Sequence, residues 1–357
     1  MKARIVIGAN FGDEGKGLLT DYLCAQGAGV VVRFNGGAQA GHTVCTPDRE
    51  RHVFHHFGSG SLLGVPTFLS QFFVCNPILF FKEYDELVAL GYHPDVYAHP
   101  DCLVTTLWDM LINQTIEDRR GAKRHGSCGV GFHETMNRSA VKELKITMGD
   151  LWDDGPRLEQ QLEEISGKYF QFRTKSKCVD FTGESITRFI ELCQRFASYV
   201  NPLGIGQCQD PVFEGAQGLL LDQDNKEFFP HVTHSSTGMK NVNALCAQAG
   251  IADKEIYYVS RTYLTRHGAG TLPGQDPSLS YDDDTNQPNQ FQGSLRFAKL
   301  EMAKLRSRCM KDACSDPHKI VLTHCDQEPA SCDADLYSYG PTRNDVTEIR
   351  NAELVTA

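Results

Sequence analysis

Among the residues able to do chemistry, the first group lies in Gly8–Gly17, GANFGDEGKG, which combines four glycines with two carboxylates and an amine. Glycines let backbone amides approach a phosphate, and Lys16 is a natural phosphate partner. A loop of the G-x-x-x-x-G-K-[ST] type has a hydroxyl after its lysine, whereas Gly17 takes that place here. Because the carboxylate of Asp13 would repel a phosphate, we expect it to hold Mg²⁺ or to accept a substrate proton. From these residues alone, an ordinary turn with solvated acids is the alternative.

A second group of candidate residues lies in Phe34–Val44, FNGGAQAGHTV, where small residues surround one titratable group, His42. A histidine at the end of a predicted strand is a candidate general acid, or a donor to a developing oxyanion. Further hydroxyls, backbone amides and an arginine suit a phosphate monoester. They lie in RHGSCGVGF (124–132), FEGAQG (213–218), FPHVTHSSTG (229–238) and LTRHGAG (264–270).

The elements that must position these groups alternate between apolar runs and amphipathic stretches. Apolar, β-branched runs predict strands at residues 3–7, 29–34, 70–75, 210–215, 255–260 and 319–324. Helices are predicted over residues 17–26, 157–170 and 294–306, and an exposed loop over 281–293. This pattern predicts an α/β fold with a mostly parallel central sheet flanked by helices, in a single domain spanning residues 1–357.

Composition limits the classes of function. With 357 residues, 41% of them hydrophobic and 22% charged, the chain is typical of a globular protein. A net charge of −10 argues against nucleic-acid binding, and no apolar run approaches the length of about 20 residues that crosses a bilayer. The thirteen cysteines form no C-x-x-C pair. We therefore expect a cytoplasmic protein without a signal peptide, whose cysteines are buried thiols.

Six motifs follow one another along the chain: GDEGKG, GGxxAGHT, EGAQG, VTxSS, TRxGAG and SYGPTR. In this order and over nearly the whole length, the chain resembles the adenylosuccinate synthetase family. It is shorter than typical bacterial and eukaryotic members, and in that it is similar to the compact archaeal branch and to phage-encoded relatives that act on dGMP. The resemblance implies a P-loop-NTPase-like fold and a ligase that joins L-aspartate to C6 of a purine nucleoside monophosphate.

The resemblance also implies catalytic roles. Asp13 would remove the N1 proton of the purine, so that O6 attacks the γ-phosphate of a nucleoside triphosphate, while His42 donates to the accumulating charge. The amine of L-aspartate would then displace phosphate from C6. Lys16 would contact the phosphates, and the carboxylate of Asp13 and the carbonyl of Gly41 would hold Mg²⁺.

Nucleotide contacts are implied in the same way. Ser127 and Cys128 stand where the family has two threonines, and Gln39 stands where it has asparagine. Arg138 matches an arginine that reaches into a neighbouring subunit's site, which implies a homodimer. The full set of expected nucleotide contacts is Gly12, Gly15, Gly17, Gln39, Ser127, Cys128, Arg138, Gln217, Thr233, Arg266, Asp326, Ser338 and Gly340.

The segment FQGSLR resembles a shortened aspartate-binding loop, so Gly293, Ser294 and Arg296 are expected to bind L-aspartate; an exposed arginine at the start of a helix is the alternative. LTHCD resembles the family's guanine-reading T-K-x-D motif, with His324 in place of lysine. Asp326 favours GTP as donor, whereas phage relatives use ATP or dATP, and the donor stays open.

We expect dGMP as the monophosphate, from likeness to the phage branch. An ordinary enzyme using IMP and GTP is the alternative, and a catalytically silent nucleotide-binding regulator is a candidate from another class. A plain P-loop GTPase is disfavoured by Gly17. No nucleic-acid or membrane partner is expected.

Overall fold

The computed structural model describes residues 1–121, 127–153, 156–176, 183–283, 285–286, 293–330 and 333–348. Within them a sheet of ten strands forms the centre of the molecule. All neighbouring strands in it are parallel except one edge pair, residues 336–338 with 346–348. The predicted α/β fold with a mostly parallel central sheet is confirmed; the single domain over residues 1–357 stays a prediction.

Apolar runs form the strands. In chain order they are β1 (Lys2–Gly8), β2 (Val30–Arg33), β3 (His42–Cys45), β4 (Arg51–Phe54), β5 (Thr67–Leu69), β6 (Val74–Cys75), β7 (Val96–Ala98), β8 (Leu103–Val104), β9 (Val200–Pro202), β10 (Pro211–Glu214), β11 (Asp253–Arg261), β12 (Tyr263–Arg266), β13 (Arg296–Lys299), β14 (His318–Thr323), β15 (Leu336–Ser338) and β16 (Val346–Glu348). The central sheet has the order β16-β15-β14-β11-β1-β10-β2-β5-β7-β9, and β12–β13 and β3–β4 form separate antiparallel hairpins.

Helices connect the strands. They are α1 (Lys16–Ala25), α2 (Pro77–Ala89), α3 (Leu107–Arg120), α4 (Phe132–Ser139), α5 (Met148–Trp152), α6 (Arg157–Glu164), α7 (Phe170–Thr174), α8 (Gly183–Tyr199), α9 (Met239–Ala249) and α10 (Met302–Asp312). Among the described residues, no helix combines the length and the hydropathy that crossing a membrane requires.

The core lies on both faces of the sheet. Ile5 and Ile7 of β1 pack in one cluster with residues of α9 and α10, whereas Val6 packs in another with residues of α1. A third cluster, which includes Trp108 and Phe80, lies among α2, α3 and α5–α8. Because parallel strands end at the same edge, the loops after β1, β2, β10, β11 and β14 meet there, as expected for ligand-binding loops of such sheets.

Two predicted elements are only partly correct. Of the strand predicted at 70–75, only Val74–Cys75 is a strand, β6, which pairs with β8 outside the central sheet. The residues before it form a turn in which the Ser70 carbonyl accepts from the Phe73 amide, and the strand of the central sheet is β5. The helix predicted over 294–306 divides into β13, which pairs with β12, and α10, which starts at Met302. Pairing with a distant strand overrides the local helical pattern there. The loop predicted at 281–293 lies mostly outside the described residues, as do residues 124–126.

Candidate active site

The glycine-rich loop after β1 folds back over the end of that strand. Gly12 and Gly15 both have φ of 89°, and Asp13 has φ of 58°, all in the left-handed region. A Cβ at Gly8 would lie 2.4 Å from the carbonyl oxygen of Gln217, which is too close for any other residue. The loop is therefore held directly against the turn that follows β10.

Lys16 and Glu14 are buried beneath this loop. The backbone amide of Asn10 donates to Glu14 Oε1 over 2.6 Å, and Glu14 Oε2 has no hydrogen-bond partner. Burial raises the pKa of Glu14 to about 7, against the opposing charge of Lys16. Burial lowers the pKa of Lys16, and the charges of Glu14, Asp13 and Glu214 oppose that effect. Lys16 therefore lies within electrostatic reach of all three carboxylates.

His42 is held by a buried glutamate. Its Nδ1 lies 2.8 Å from Glu214 Oε1, and Glu214 also accepts from the Ser59 amide over 3.1 Å and from the Ser59 hydroxyl. The guanidinium of Arg33 lies 3.7 Å from the same carboxylate. Both side chains of the His42–Glu214 pair are almost fully buried.

This network sets the charges of the pair. Burial acts to raise the pKa of Glu214, but His42, Arg33 and Ser59 outweigh it and hold the pKa at about 2. Burial lowers the pKa of His42 to about 4, so the unliganded ring is neutral at pH 7 and donates Nδ1–H to an ionised Glu214. His42 Nε2 is buried without a partner. It is the nitrogen left for a ligand.

Contacts around α1 bring Asp13, Lys16 and His42 together. A Cβ at Gly17 would lie 3.2 Å from His42 Cβ and 2.6 Å from the Thr43 carbonyl oxygen, so the start of α1 packs against β3. The charge of Lys16 acts on His42, and that of Asp13 acts on Lys16. The three predicted catalytic residues share one electrostatic neighbourhood.

Two glutamine side chains face the same region. Gln39 has no partner for either amide atom, and neither has Gln217 Oε1, although all three atoms are buried. A Cβ at Gly36 would lie 3.3 Å from Gln217 Oε1 and 3.7 Å from Gln39 Nε2. Buried amides are normally hydrogen-bonded, so these groups are suited to a polar ligand.

The segment after residue 126 contributes Ser127 and Cys128. Asn113 donates to the Ser127 hydroxyl over 2.8 Å. Burial and the charge of Asp13 raise the pKa of Cys128 to about 11, so its thiol stays protonated at neutral pH. Because the charge of Asp13 acts on Cys128, this predicted monophosphate contact lies near the predicted base.

Arg266 and Arg296, on the β12–β13 hairpin, already have protein partners. Arg266 donates to the carbonyls of Thr271 and His231 over 2.6 and 2.8 Å, and lies over the rings of Phe11 and Phe228. Burial and the charge of Arg296 lower the pKa of Arg266 to about 10.

Arg296 donates to the carbonyls of Gly268 and Gly270 over 2.7 and 2.8 Å. The Gly293 carbonyl lies 3.1 Å from the Nε2 of His267, and Ser294 is exposed beside it. The role of these residues in aspartate binding stays a prediction.

The predicted donor-base contacts lie after β14 and at the end of the neighbouring strand β15. Asp326 is exposed, and Ser338 donates to the Gly340 carbonyl over 2.7 Å. Burial and the charge of Arg261 lower the pKa of His324 to about 3, so the ring that replaces the family's lysine is neutral. Thr233, on a separate loop, donates its amide to the Leu221 carbonyl over 2.8 Å.

Arg138, which the resemblance matches to an arginine that reaches into a neighbouring subunit, lies inside this chain. Its side chain is fully buried and donates from Nε to Asp109 over 3.0 Å, and to the carbonyls of Val104 and Leu144. These internal partners engage all three of its nitrogens. The nucleotide contact of Arg138 and the homodimer stay predictions.

The residues expected to hold Mg²⁺ fit that ion as a shared site with a nucleotide. Within the described residues, no group of three or more His, Cys, Asp or Glu side chains forms an all-protein metal site. The half-buried carboxylate of Asp13 and the exposed backbone of Gly41 are oxygen ligands of the kind that Mg²⁺ combines with phosphates.

Sequence reasoning missed Glu214, Arg33 and Arg261. A signal was present: two apolar runs, VVVR and PVFE, each end in a charge of opposite sign. β2 and β10 are neighbours, and Arg33 and Glu214 are in register. Arg261 donates from Nε to the Asp13 carbonyl over 2.5 Å, a contact that no local pattern indicates.

In sequence, the chain is similar to adenylosuccinate synthetases. The profile of that family matches residues 5–291. The enzyme of Clostridium botulinum (strain Hall) is 31% identical over 294 residues, which covers 76% of this chain and 65% of the relative. That of Anaeromyxobacter dehalogenans is 33% identical over 282 residues, covering 75% and 64%. The chain thus spans slightly less than two thirds of the length of these relatives.

In fold, the chain is similar to two solved structures. Fully ligated adenylosuccinate synthetase from Plasmodium falciparum has a TM-score of 0.72 at 20% identity, covering 91% of this chain and 77% of that one. Succinoaminodeoxyadenylate synthetase (PurZ) of cyanophage S-2L, bound to dGMP and dATP, has a TM-score of 0.68 at 15% identity. It covers 97% of this chain and 95% of that one. These likenesses extend the shared fold to almost the whole chain.

Proposed function

The chain belongs to the adenylosuccinate synthetase family, and we propose that it is a ligase that joins L-aspartate to C6 of a purine nucleoside monophosphate. The observation that carries the proposal is the convergence of Asp13, Lys16 and the His42–Glu214 pair around the start of α1. A base, a phosphate partner and a buried imidazole are the groups that phosphorylation of a purine oxygen requires.

In the first step, Asp13 takes the N1 proton of the purine, and the C6 oxygen attacks the γ-phosphate of the triphosphate. Nucleoside diphosphate leaves, and a 6-phosphoryl purine remains. In the second step, the amine of L-aspartate adds at C6, phosphate departs with the former C6 oxygen, and the amine loses a proton. Phosphorylation converts a very poor leaving group, oxide, into a good one.

His42 and Lys16 stabilise the negative charge of this transfer. Because Glu214 accepts from Nδ1, Nε2 is the nitrogen that can donate to the reacting oxygen once it carries a proton. An arriving anionic phosphate favours that protonated ring, as the ionised Glu214 does. Mg²⁺, held by Asp13 and the Gly41 carbonyl, would offset charge on the triphosphate.

We propose dGMP as the monophosphate and ATP or dATP as the donor, with GTP as the alternative through Asp326. The near-complete mutual coverage with the cyanophage protein bound to dGMP and dATP supports this choice. The unpartnered Gln39 Oε1 supports it too, because a carbonyl oxygen can accept from the 2-amino group that IMP lacks.

The second candidate is an ordinary enzyme that uses IMP and GTP. Identity of 31% to a bacterial adenylosuccinate synthetase favours it, against 15% to the cyanophage protein. A catalytically silent regulator is disfavoured, because Asp13, Lys16 and His42 are all present.

A substrate panel tests the proposal. The protein would receive dGMP, GMP or IMP with L-aspartate, Mg²⁺ and ATP, dATP or GTP, and phosphate release would be measured. We expect aspartate-dependent release with dGMP, with kcat/KM at least about tenfold above that for IMP. Turnover of IMP alone would overturn the dGMP assignment but keep the ligase. No aspartate-dependent release from any mixture would overturn the ligase itself.

Gln39→Asn sharpens the same test. The shorter amide should lower the preference for dGMP over IMP by about tenfold, because its carbonyl no longer reaches the 2-amino group. Gln248→Asn, an equal change at an exposed position of α9, is the matched control. An unchanged preference in Gln39→Asn would remove Gln39 from substrate selection.

A further inference from the structure

Residues 281–283 and 285–286, which we call the strap, cross the ends of several catalytic elements. Asp283 Oδ2 lies 2.6 Å from Arg261 Nη2, in an ion pair whose side chains are 10% and 4% exposed. The Thr285 hydroxyl lies 3.1 Å from that of Thr43 and accepts from Arg51 over 2.7 Å. The strap therefore joins Arg261, at the end of β11, to the β3–β4 hairpin, which it contacts at Thr43, the residue after His42.

Arg261 extends this connection to Asp13. Its Nε donates to the Asp13 carbonyl over 2.5 Å, while its Nη2 binds Asp283. Asp13 has φ of 58°, which is unfavourable for a residue with a side chain and persists only where neighbours hold it. The Arg261 contact is such a neighbour, since it fixes the carbonyl of the strained residue.

The remaining contacts of Arg261 and the strap rigidify this arrangement. Arg261 Nη1 donates to the Tyr263 hydroxyl over 3.2 Å, and the ring of Tyr263 stacks on Tyr281 of the strap at 3.7 Å. Gln327 donates to the Asp282 carbonyl over 2.9 Å. The strap is thus packed on the protein on both sides of Asp283.

We propose that Asp283 is a positioning residue for the phosphorylation step, which it serves by holding Arg261 against the Asp13 backbone. The expected kinetic effect of Asp283 rests on the proposed function, whereas its expected effect on the Asp13 backbone does not. Asp283 touches no reacting atom. The charge of Asp283 keeps the guanidinium of Arg261 in the orientation that fixes the left-handed turn at Asp13.

Asp283→Asn, with Asp282→Asn as matched control, tests the proposal. Asparagine keeps an oxygen that accepts from the backbone amides of Thr285 and Asn286. It replaces Oδ2, which accepts from Arg261 Nη2 and from the Asn286 side-chain amide, with an uncharged donor. Asp282 is its exposed neighbour, and its contact to Gln327 uses the backbone carbonyl. The two variants therefore make the same chemical change in the same segment.

We expect Asp283→Asn to lower kcat at least about tenfold, with KM for the monophosphate within about threefold of wild type. Exchange of oxygen isotope between bridging and terminal positions of the triphosphate, measured without aspartate, should slow equally, because the phosphorylation step is affected. Asp282→Asn should leave both values unchanged. An equal fall in both variants, or slowing only in the presence of aspartate, would overturn the proposal.

Amide hydrogen exchange gives a readout that needs no turnover. Peptides covering residues 9–17 should exchange at least about tenfold faster in Asp283→Asn than in Asp282→Asn. Arg261→Lys, which keeps the charge but not the fork, should show the same acceleration. If these peptides keep wild-type protection in Asp283→Asn and in Arg261→Lys, Asp283 does not position Asp13, whatever the wild-type substrate is. Inactive wild-type protein with the expected exchange pattern would instead count against the proposed function alone.

Discussion

The centre around Asp13 and His42 and the β12–β13 hairpin both carry charged residues, but they use them differently. In the centre, His42 Nε2, Glu14 Oε2 and the Gln39 amide are buried without partners. In the hairpin, Arg266 and Arg296 donate to backbone carbonyls of the loops beside them. The centre holds polar groups ready for a ligand, and the hairpin uses its cations to hold its own turns.

The difference shows how to separate binding groups from supporting ones. A buried polar atom without a partner costs free energy unless a ligand satisfies it. An arginine that already satisfies carbonyls contributes to the shape of the site first. We therefore expect substitutions in the centre to act on rate, and those in the hairpin to act on affinity.

The largest expected effect is at Asp13. Asp13→Asn removes the base while keeping the size of the side chain, so kcat should fall at least about 1000-fold. Monophosphate binding, measured by calorimetry, should remain detectable. If the variant keeps more than about a tenth of wild-type kcat, Asp13 is not the base, and the expectation that substitutions in the centre act on rate is contradicted.

The second-largest expected loss of kcat is at Glu214. Glu214→Gln removes the charge that supports a protonated His42, so kcat should fall about 100-fold at pH 7. Glu83→Gln is the control, since Glu83 is also a buried glutamate but contacts His56 and the amides of residues 55–57 instead of His42. Equal losses of kcat in the two variants would mean that Glu214 supports only the fold.

At Glu14 we expect an effect on stability. Its pKa is raised by burial from 4.5 to about 7, so the folded state binds the proton more tightly than the unfolded state. Wild type should therefore lose stability as pH rises from about 4.5 to 7, by about 3 kcal/mol relative to Glu14→Gln. Urea unfolding of both proteins across this range measures the difference. Parallel pH profiles would contradict an uncharged Glu14 in the folded protein.

The smallest expected effect is in the hairpin. Arg296→Lys keeps a charge but cannot fork, so KM for L-aspartate should rise about tenfold, with kcat within about threefold. Arg306→Lys, at an exposed position of α10, is the control. An unchanged KM for L-aspartate would leave Arg296 as a residue that only holds the hairpin.

The fold and the catalytic loops could be predicted because their signals are local. The apolar runs of β1, β2 and β10 lead directly into Gly-rich turns, and those of β11 and β14 lead into polar ones. Parallel strands bring these turns together. The rest depends on distant pairings. Nothing near Glu214 indicates that it meets His42, and nothing near residue 296 indicates that β13 pairs with β12. Arg138 was assigned by motif position alone, and no local pattern indicates that it is buried against Asp109.

The most direct test of the central claim follows the C6 oxygen. Monophosphate labelled with ¹⁸O at C6 would be converted with L-aspartate, Mg²⁺ and unlabelled triphosphate, and the released phosphate would be analysed by mass spectrometry. If Asp13 and His42 promote phosphorylation of that oxygen, each released phosphate should carry one ¹⁸O atom. Product formation with unlabelled phosphate would contradict the account.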